Sequence, residues 1–405
     1  MSTAATPFST RTPFVVLGDD WGRHVSTLQH LFRQITPSHP VVWVDSFGHR
    51  LPRLRIADVR RAAEKMRAVA RPHGATQYER GPAALVVPRA LPWHNAKLVR
   101  SANAWSIAHD VRRALTRISP GESPVLVTAT PTVPELVGTL GERATIYFCM
   151  DDYGELPNTS AGMLVPLEEL TLRRVDAVVA TARRLVERKR PTTGRAHHLP
   201  QGVNYEHFAT QRDCPPEMAS LPRPILGFAG GVSPCCDFGL LRSIANALPD
   251  ASVVLVGPVM VDLGAEQLPR NVHVFGNRPY AELPAYVQAF DVGLIPYLHN
   301  DWTASVDPLK LLEYLAAGIP VVATPIPEVQ KYAPIVRQGD TPDAFIAAVH
   351  SALAADESDR AAGREIAARN TWSRRAKEFL EIVADACASR EKLVTRPAVL
   401  HHAMA

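Results

Sequence analysis

The chain has 405 residues, of which 46% are hydrophobic and 21% charged, enough for two globular domains of about 200 residues each. No apolar run approaches the roughly 20 residues needed to span a bilayer, and no charged stretch followed by an apolar one opens the chain, so neither a spanning helix nor a secretory leader is expected. The net charge of +4 is unevenly placed: residues 1–205 hold 27 Lys+Arg against 17 Asp+Glu, and the rest hold 17 against 23.

A basic first half and an acidic second half point to two domains with different partners. Nucleic acid is disfavoured because no arginine-rich tract is interleaved with aromatics; an anionic membrane surface explains the asymmetry as well. The five cysteines (Cys149, Cys214, Cys235, Cys236 and Cys387) have no metal-ligand spacing, and an odd number with two adjacent fits a reducing cytoplasm.

In chain order, Pro13–Gly18 reads as a strand, followed by the loop Asp19–His24, a helix over about Ser26–Ile35 and the strand Val41–Asp45, which together make a βαβ unit. Gly18 and Gly22 do not form a dinucleotide fingerprint. Arg50–Arg71 is arginine-rich with apolar residues at roughly helical spacing, which fits either a basic helix on a membrane or a solvated surface helix. Strands are expected at Ala83–Pro88, Ser123–Thr128 and Ala144–Met150, with a helix over about Ser106–Ile118. The last of these strands ends at Asp151-Asp152. In open α/β sheets the residues past strand C-termini line the ligand crevice, so these two carboxylates are the general-base candidates. Their competing role is to cap the following turn.

A strand at Ala177–Thr181, a basic helix over Ala182–Arg190 and a short strand at Ala196–Pro200 complete the first half. His197 and His198 are neighbours on a strand, face opposite ways and cannot share a metal. After the proline-rich segment Cys214–Pro224, a second α/β series begins with Ile225–Gly231 and continues through strands at Ala251–Pro258, Val272–Gly276 and Asp291–Tyr297, with a helix opening at Tyr280–Tyr286. Paired Gly230-Gly231 after a strand let backbone approach a ligand closely. The series leads to Ser305–Thr324, which reads as loop, helix, tight turn and buried strand. Asp307-Pro308 should cap the helix, Gly318 and Pro320 end it, and Lys310 and Glu313 share one face near its N-terminus. A helix N-terminus with a lysine beside it suits a diphosphate, and Glu313 suits sugar hydroxyls. An ordinary amphipathic helix with an exposed Lys-Glu pair is the plainer alternative.

The run PLKLLEYLAAGIPVVAT (Pro308–Thr324) resembles the donor-site segment of GT4-like GT-B glycosyltransferases, among them bacterial teichuronic-acid-type enzymes and, more distantly, the xanthan glucuronosyltransferase. The resemblance covers Pro222–Phe379 and, more weakly, Pro13–Phe208, where Gln201–Phe208 is similar to the stretch that closes the family's first domain. It implies an α/β fold of GT-B type, with two Rossmann-like doubly wound domains facing across a cleft. The domains would be an acceptor domain at 1–208, a linker at 209–223, a donor domain at 224–373, a helix crossing back at 374–388 and a tail at 389–405. Glu313 would hold the nucleotide ribose, Gly230 and Gly231 would floor the diphosphate pocket, and the base would sit by Gly276-Asn277-Arg278. Ser305 and Val306 would be donor- or nucleotide-binding positions. Ser305 stands where the family has a sugar-contacting Glu, and Val232–Asp237 lacks the family's phosphate-binding Arg and Lys. Lys310 and the helix dipole would then supply the positive charge on the diphosphate, with no metal required and no cofactor expected.

The function implied is transfer of a sugar, from a UDP-sugar by preference, to a lipid-linked or saccharide acceptor in surface polysaccharide synthesis, in the cytoplasm or on the inner face of the membrane. A sugar-nucleotide epimerase and a non-catalytic sugar-nucleotide-binding scaffold remain as alternatives.

Overall fold

The computed structural model describes residues 8–23, 25–46, 81–157, 159–192 and 194–395; His24, Arg50–Arg71 and the end of the tail with His401 and His402 lie outside them. The first half builds a seven-stranded, wholly parallel sheet. Its strands are β1 Phe14–Leu17, β2 Val41–Val44, β3 Ala84–Val86, β4 Val125–Thr128, β5 Ala144–Cys149, β6 Ala177–Ala180 and β7 Arg195–His198, in the order β3-β2-β1-β4-β5-β6-β7. The second half builds a six-stranded parallel sheet from β8 Ile225–Ala229, β9 Ser252–Val256, β10 Val272–Gly276, β11 Val292–Ile295, β12 Val321–Ala323 and β13 Val336–Gln338, in the order β10-β9-β8-β11-β12-β13. Both orders reverse beside their first strand, the doubly wound arrangement that opens a crevice at the strand C-termini.

The short apolar runs become central strands because helices cover both faces and leave no residue for water. Phe14–Leu17, Val41–Val44, Val125–Thr128 and Ile225–Ala229 are buried throughout. On one face of the first sheet, Phe14, Phe32 and Phe148 pack with Phe379 from the last helix, Trp372–Thr395. That helix belongs by sequence to the second half and lies against Thr27–Ile35 of the first. It is longer than the expected 374–388 and starts at Trp372, whose ring stacks on His30 at 5.2 Å.

Three local expectations are corrected. The helix Leu309–Ala316 has Pro308, not Asp307, at its cap position, and no side chain caps it. The Asp307 carboxylate instead accepts the backbone N–H of Gln201, from the first half, at 2.9 Å. The helix foreseen from Tyr280 runs only over Leu283–Gln288, with Pro284 in its first turn, where proline's fixed φ and missing N–H do no harm. The helix foreseen from about Ser106 starts nine residues earlier, over Lys97–Ile118.

Two further contacts tie the halves together. Glu328 accepts the backbone N–H of Arg183 at 2.7 Å, and the Arg184 guanidinium meets Asp301. The strand ends of the two sheets thus face one another across the cleft.

Candidate active site

The second sheet places its glycines where strands end. Gly230 follows β8 with φ +148°, a region that L side chains rarely adopt, and its N–H bonds to Val256 O at 2.7 Å. The N–H of Gly257, after β9, bonds in turn to Gly276 O at 2.8 Å, so three consecutive strand ends are linked through bare backbone. Over this floor lies the helix Leu309–Ala316. Its Tyr314, fully buried, accepts the Ala229 N–H at 2.6 Å and pins the helix to the end of β8. Gly293 in β11 permits that approach, since a methyl there would stand 2.5 Å from the Tyr314 ring. Leu311, Leu312 and Leu315 seal the underside, each worth about 1.5–3 kcal/mol of apolar burial.

From the first turn of this helix Lys310 reaches across Gly230. Its ammonium donates to the Tyr297 hydroxyl and lies 4.9 Å from the Phe228 ring centre and 5.0 Å from that of Tyr297, a cation held against two aromatic faces. Glu313, one turn on, is only 8% exposed. Among the described residues its carboxylate makes no hydrogen bond. Burial pushes its carboxyl up to about 7, while Lys310 pulls the other way. An ordinary exposed Lys-Glu pair would show neither feature.

The remaining donor-side candidates are spread around this centre. Gly231 lies under the Met260 side chain, whose methyl would be 2.6 Å from a Cβ at residue 231. Ser305 is buried and its hydroxyl bonds weakly to Asp301 O at 3.5 Å; Val306 packs against the core of the second half. Asn277 is exposed at the end of β10. Arg278 is committed elsewhere: it donates to the Tyr286 hydroxyl at 2.7 Å and to Phe275 O at 2.6 Å, and pairs with Glu217 at 3.6 Å. The geometry therefore unites Gly230, Lys310 and Glu313 and leaves Arg278 in the wall.

Across the cleft the two carboxylates after β5 part company. Asp152 is 1% exposed; Lys189 bonds one of its oxygens at 3.0 Å, and Arg188 pairs with the other at 2.8 Å. It also accepts the Gly154 N–H at 3.2 Å, the capping role. Lys189 is shared with Glu168 at 2.7 Å, and Glu168 takes the Tyr147 hydroxyl at 2.7 Å, so Asp152 belongs to a buried network. Asp151 is outside it. Its carboxyl lies beside Trp302 of the second half and is raised by burial and by Asp152, with Trp302 opposing.

Several residues of the site carried no separate signal in the sequence. Tyr297 and Phe228 read as strand residues, although they are what holds Lys310. Cys235 sits in the loop after Gly231 with its Sγ 3.0 Å from Ser233 Oγ; a hydrogen bond from Cys236 brings its thiol down to about 6, and Lys310 adds to that. Asp19, after β1, accepts Ser26 Oγ at 2.9 Å and Gln29 Nε2 at 3.2 Å, and burial raises its carboxyl.

With this geometry in hand, the relatives can be placed. Residues 224–355 match the family model described as Glycosyl transferases group 1. A Bacillus subtilis (strain 168) protein assigned to teichuronic acid biosynthesis as a glycosyltransferase is 33% identical over 218 residues, 50% of this chain and 55% of that one; the match thus spans about half of each. Among solved structures, an E. coli trehalose-6-phosphate structure bound with UDP-2-fluoro glucose superposes with a TM-score of 0.61 at 12% identity, over 93% of this chain and 99% of the other. Sucrose-phosphate synthase from Thermosynechococcus elongatus gives 0.60 at 14%, over 95% and 98%. Likeness at such identities speaks for the fold, and the family match falls on the very segment that carries Gly230, Lys310 and Glu313. The chain shares the GT-B fold of these solved structures, and its second half is similar to the group 1 glycosyl transferases.

Proposed function

We propose that the chain transfers a sugar from a nucleotide-diphospho-sugar, a UDP-sugar by preference, to a lipid-linked or saccharide acceptor in surface polysaccharide synthesis. The observation that carries the reading is Glu313: a buried carboxylate without a hydrogen bond among the described residues, one turn from a lysine held over backbone glycine. Ribose hydroxyls are the donors that such an acceptor lacks. The diphosphate then lies over Gly230 at the N-terminus of Leu309–Ala316, where free N–H groups and the helix dipole favour anions. UDP is preferred because a fold neighbour holds UDP-2-fluoro glucose; the surface-polysaccharide setting comes from the teichuronic acid relative.

In this reading residues 1–208 bind the acceptor and 224–373 the donor. Lys310 and the helix dipole offset the negative charge that builds on the departing diphosphate, the part a divalent cation plays elsewhere. Asp151, at the strand end facing the donor half, takes the proton of the acceptor hydroxyl as that oxygen attacks the anomeric carbon. This assignment commits to inversion.

A thermal-shift screen of UDP-, GDP- and ADP-sugars, followed by turnover of whichever ligand stabilises the protein, tests the proposal. A bound nucleotide raises the melting temperature by mass action, and release of nucleoside diphosphate only with acceptor present is the expected outcome. Interconversion of the sugar nucleotide without acceptor would make the protein an epimerase, and stabilisation without turnover would make it a scaffold.

A further inference from the structure

The helix Lys97–Ile118 buries one face and leaves another bare. Ala104, Ile107, Ala108, Val111 and Leu115 pack into the first sheet. On the opposite side Leu98 is 85% and Trp105 71% exposed, two turns apart on one stripe, with the Trp105 ring stacked on His109 at 6.0 Å. The loop leading into the helix adds Leu91 at 50% and Trp93 at 51%. Leu91 is held against the helix by reciprocal 2.8 Å bonds between its backbone and the Asn103 amide. Among the described residues, four of the eight exposed large apolar side chains thus fall within fifteen residues of sequence. Single exposed apolar residues need no explanation, but two tryptophans and two leucines displayed together do.

We propose that this face docks the protein on an anionic lipid bilayer. The charge around it identifies the occupant. Lys97 lies beside Leu98, and farther along the same helix Arg112, Arg113 and Arg117 are exposed, within a first half whose charge is strongly positive. Tryptophan is the side chain that best fits the boundary between headgroups and acyl chains, because its body is apolar and its N–H stays wet. Basic residues around such an anchor draw it to anionic headgroups.

The position also has a purpose. The loop with Leu91 and Trp93 leaves the C-terminal end of β3, the same sheet edge on which Asp151 leaves β5. Four strand spacings of about 4.8 Å separate β3 from β5, about 20 Å along that sheet edge. An acceptor carried on a lipid would thus meet the cleft from its own membrane. Docking itself requires no sugar transfer, so it can be read apart from the proposed activity.

The test is co-sedimentation of the full chain with vesicles of phosphatidylcholine alone and of equimolar phosphatidylcholine and phosphatidylglycerol. The parent protein should bind the mixed vesicles, less so as salt rises, because screening acts over about 8 Å at physiological ionic strength. Leu98→Ser/Trp105→Ser should weaken that binding about tenfold or more, and Arg113→Gln/Arg117→Gln should weaken it and blunt the salt dependence. Both variants change exposed side chains, so melting temperature and nucleotide-induced shift should stay those of the parent. That keeps failure of docking distinct from failure of the donor site. Binding of the Leu98→Ser/Trp105→Ser variant equal to the parent's would overturn the proposal. So would absence of parent binding to either vesicle, or a change in the variant's self-association with vesicle binding untouched.

Discussion

The Lys310 side chain occupies the space that any side chain at residue 230 would need: its Cε lies 2.6 Å, and its Nζ 3.0 Å, from the place of a methyl on Gly230. The glycine and the lysine therefore make one device, a bare backbone floor with a cation drawn across it. Gly230→Ala should displace the ammonium from its seat between Phe228 and Tyr297 and weaken UDP binding about as much as removing the lysine does. Because both changes break the same device, the double variant should lose little more than either single one. Calorimetric titration with UDP checks this; fully additive losses would separate the two residues.

Lys310→Ala and Glu313→Ala should each weaken UDP binding by about 1.5–3 kcal/mol, the scale of a charge-assisted hydrogen bond lost from a buried site. Glu313→Gln keeps the shape and can still accept one hydrogen bond, so it should fall between Glu313→Ala and the parent. Unchanged affinity in both alanine variants would remove the nucleotide from this helix.

The elevated Glu313 carboxyl also sets a direction for stability against pH. Its folded value of about 7 lies above the ordinary 4.5, so between those values the folded chain binds a proton that the unfolded chain has released. Stability due to this group is greatest below about pH 4.5 and is lost as pH rises through 7. The full swing is on the order of 3 kcal/mol at one unit per 1.36 kcal/mol. Asp307, raised to about 6 by burial, acts in the same sense. The ligand-free protein should therefore show a declining urea midpoint from pH 5 to pH 8. In Glu313→Gln, neutral throughout, that decline should be shallower, with the remainder due to Asp307.

Most of the fold was legible because its central strands are short apolar runs separated by helical spacing, the pattern that parallel sheets covered on both faces produce; the edge strand β13, Val336–Gln338, with two polar residues of three, lacks that signal. The helix Leu309–Ala316 was legible from its apolar face, with Gly318 and Pro320 as its stop. What local reasoning misread depended on partners far away in the chain. Asp307 had the chemistry of a cap, but the Gln201 N–H, 106 residues earlier, competes for its carboxylate and wins. Asp151 and Asp152 are indistinguishable in sequence, and only the placement of Lys189 and Arg188 decides which is neutralised. Tyr297 gained its role from Lys310 folding back on it, and nothing near Tyr297 announces that.

The Asp307–Gln201 bond is a buried polar tie between the halves. Asp307→Ala would leave the Gln201 N–H without its acceptor, a loss of about 1–3 kcal/mol. The Gln201 side chain also takes the Thr27 hydroxyl at 2.9 Å, and its carbonyl takes Arg375 at 3.2 Å, so the backbone there is held from other sides and the loss should stay local. Urea unfolding should show a lower midpoint with an unchanged slope; a second transition would mean that this one bond makes the halves unfold together.

Asp151 and Asp152 give the sharpest separation between a chemical and a structural carboxylate. Asp152→Asn weakens the pairing with Lys189 and Arg188 while Glu168 still holds Lys189, so the folded state should lose about 1–3 kcal/mol. Turnover per folded molecule should stay near normal. Asp151→Asn removes proton acceptance while keeping shape, and it touches none of that network. Release of nucleoside diphosphate in the presence of acceptor should fall by about 10²–10⁴ with nucleotide affinity and melting temperature held. If Asp151→Asn instead turns over normally, the base lies elsewhere on the same sheet edge. Asp19 is then the next carboxylate to replace, because it ends β1 beside the point where the strand order reverses and is already raised by burial. His24, in the same loop but outside the described residues, would follow. A normal rate in all of these variants would remove the need for a first-half base, and with it the commitment to inversion.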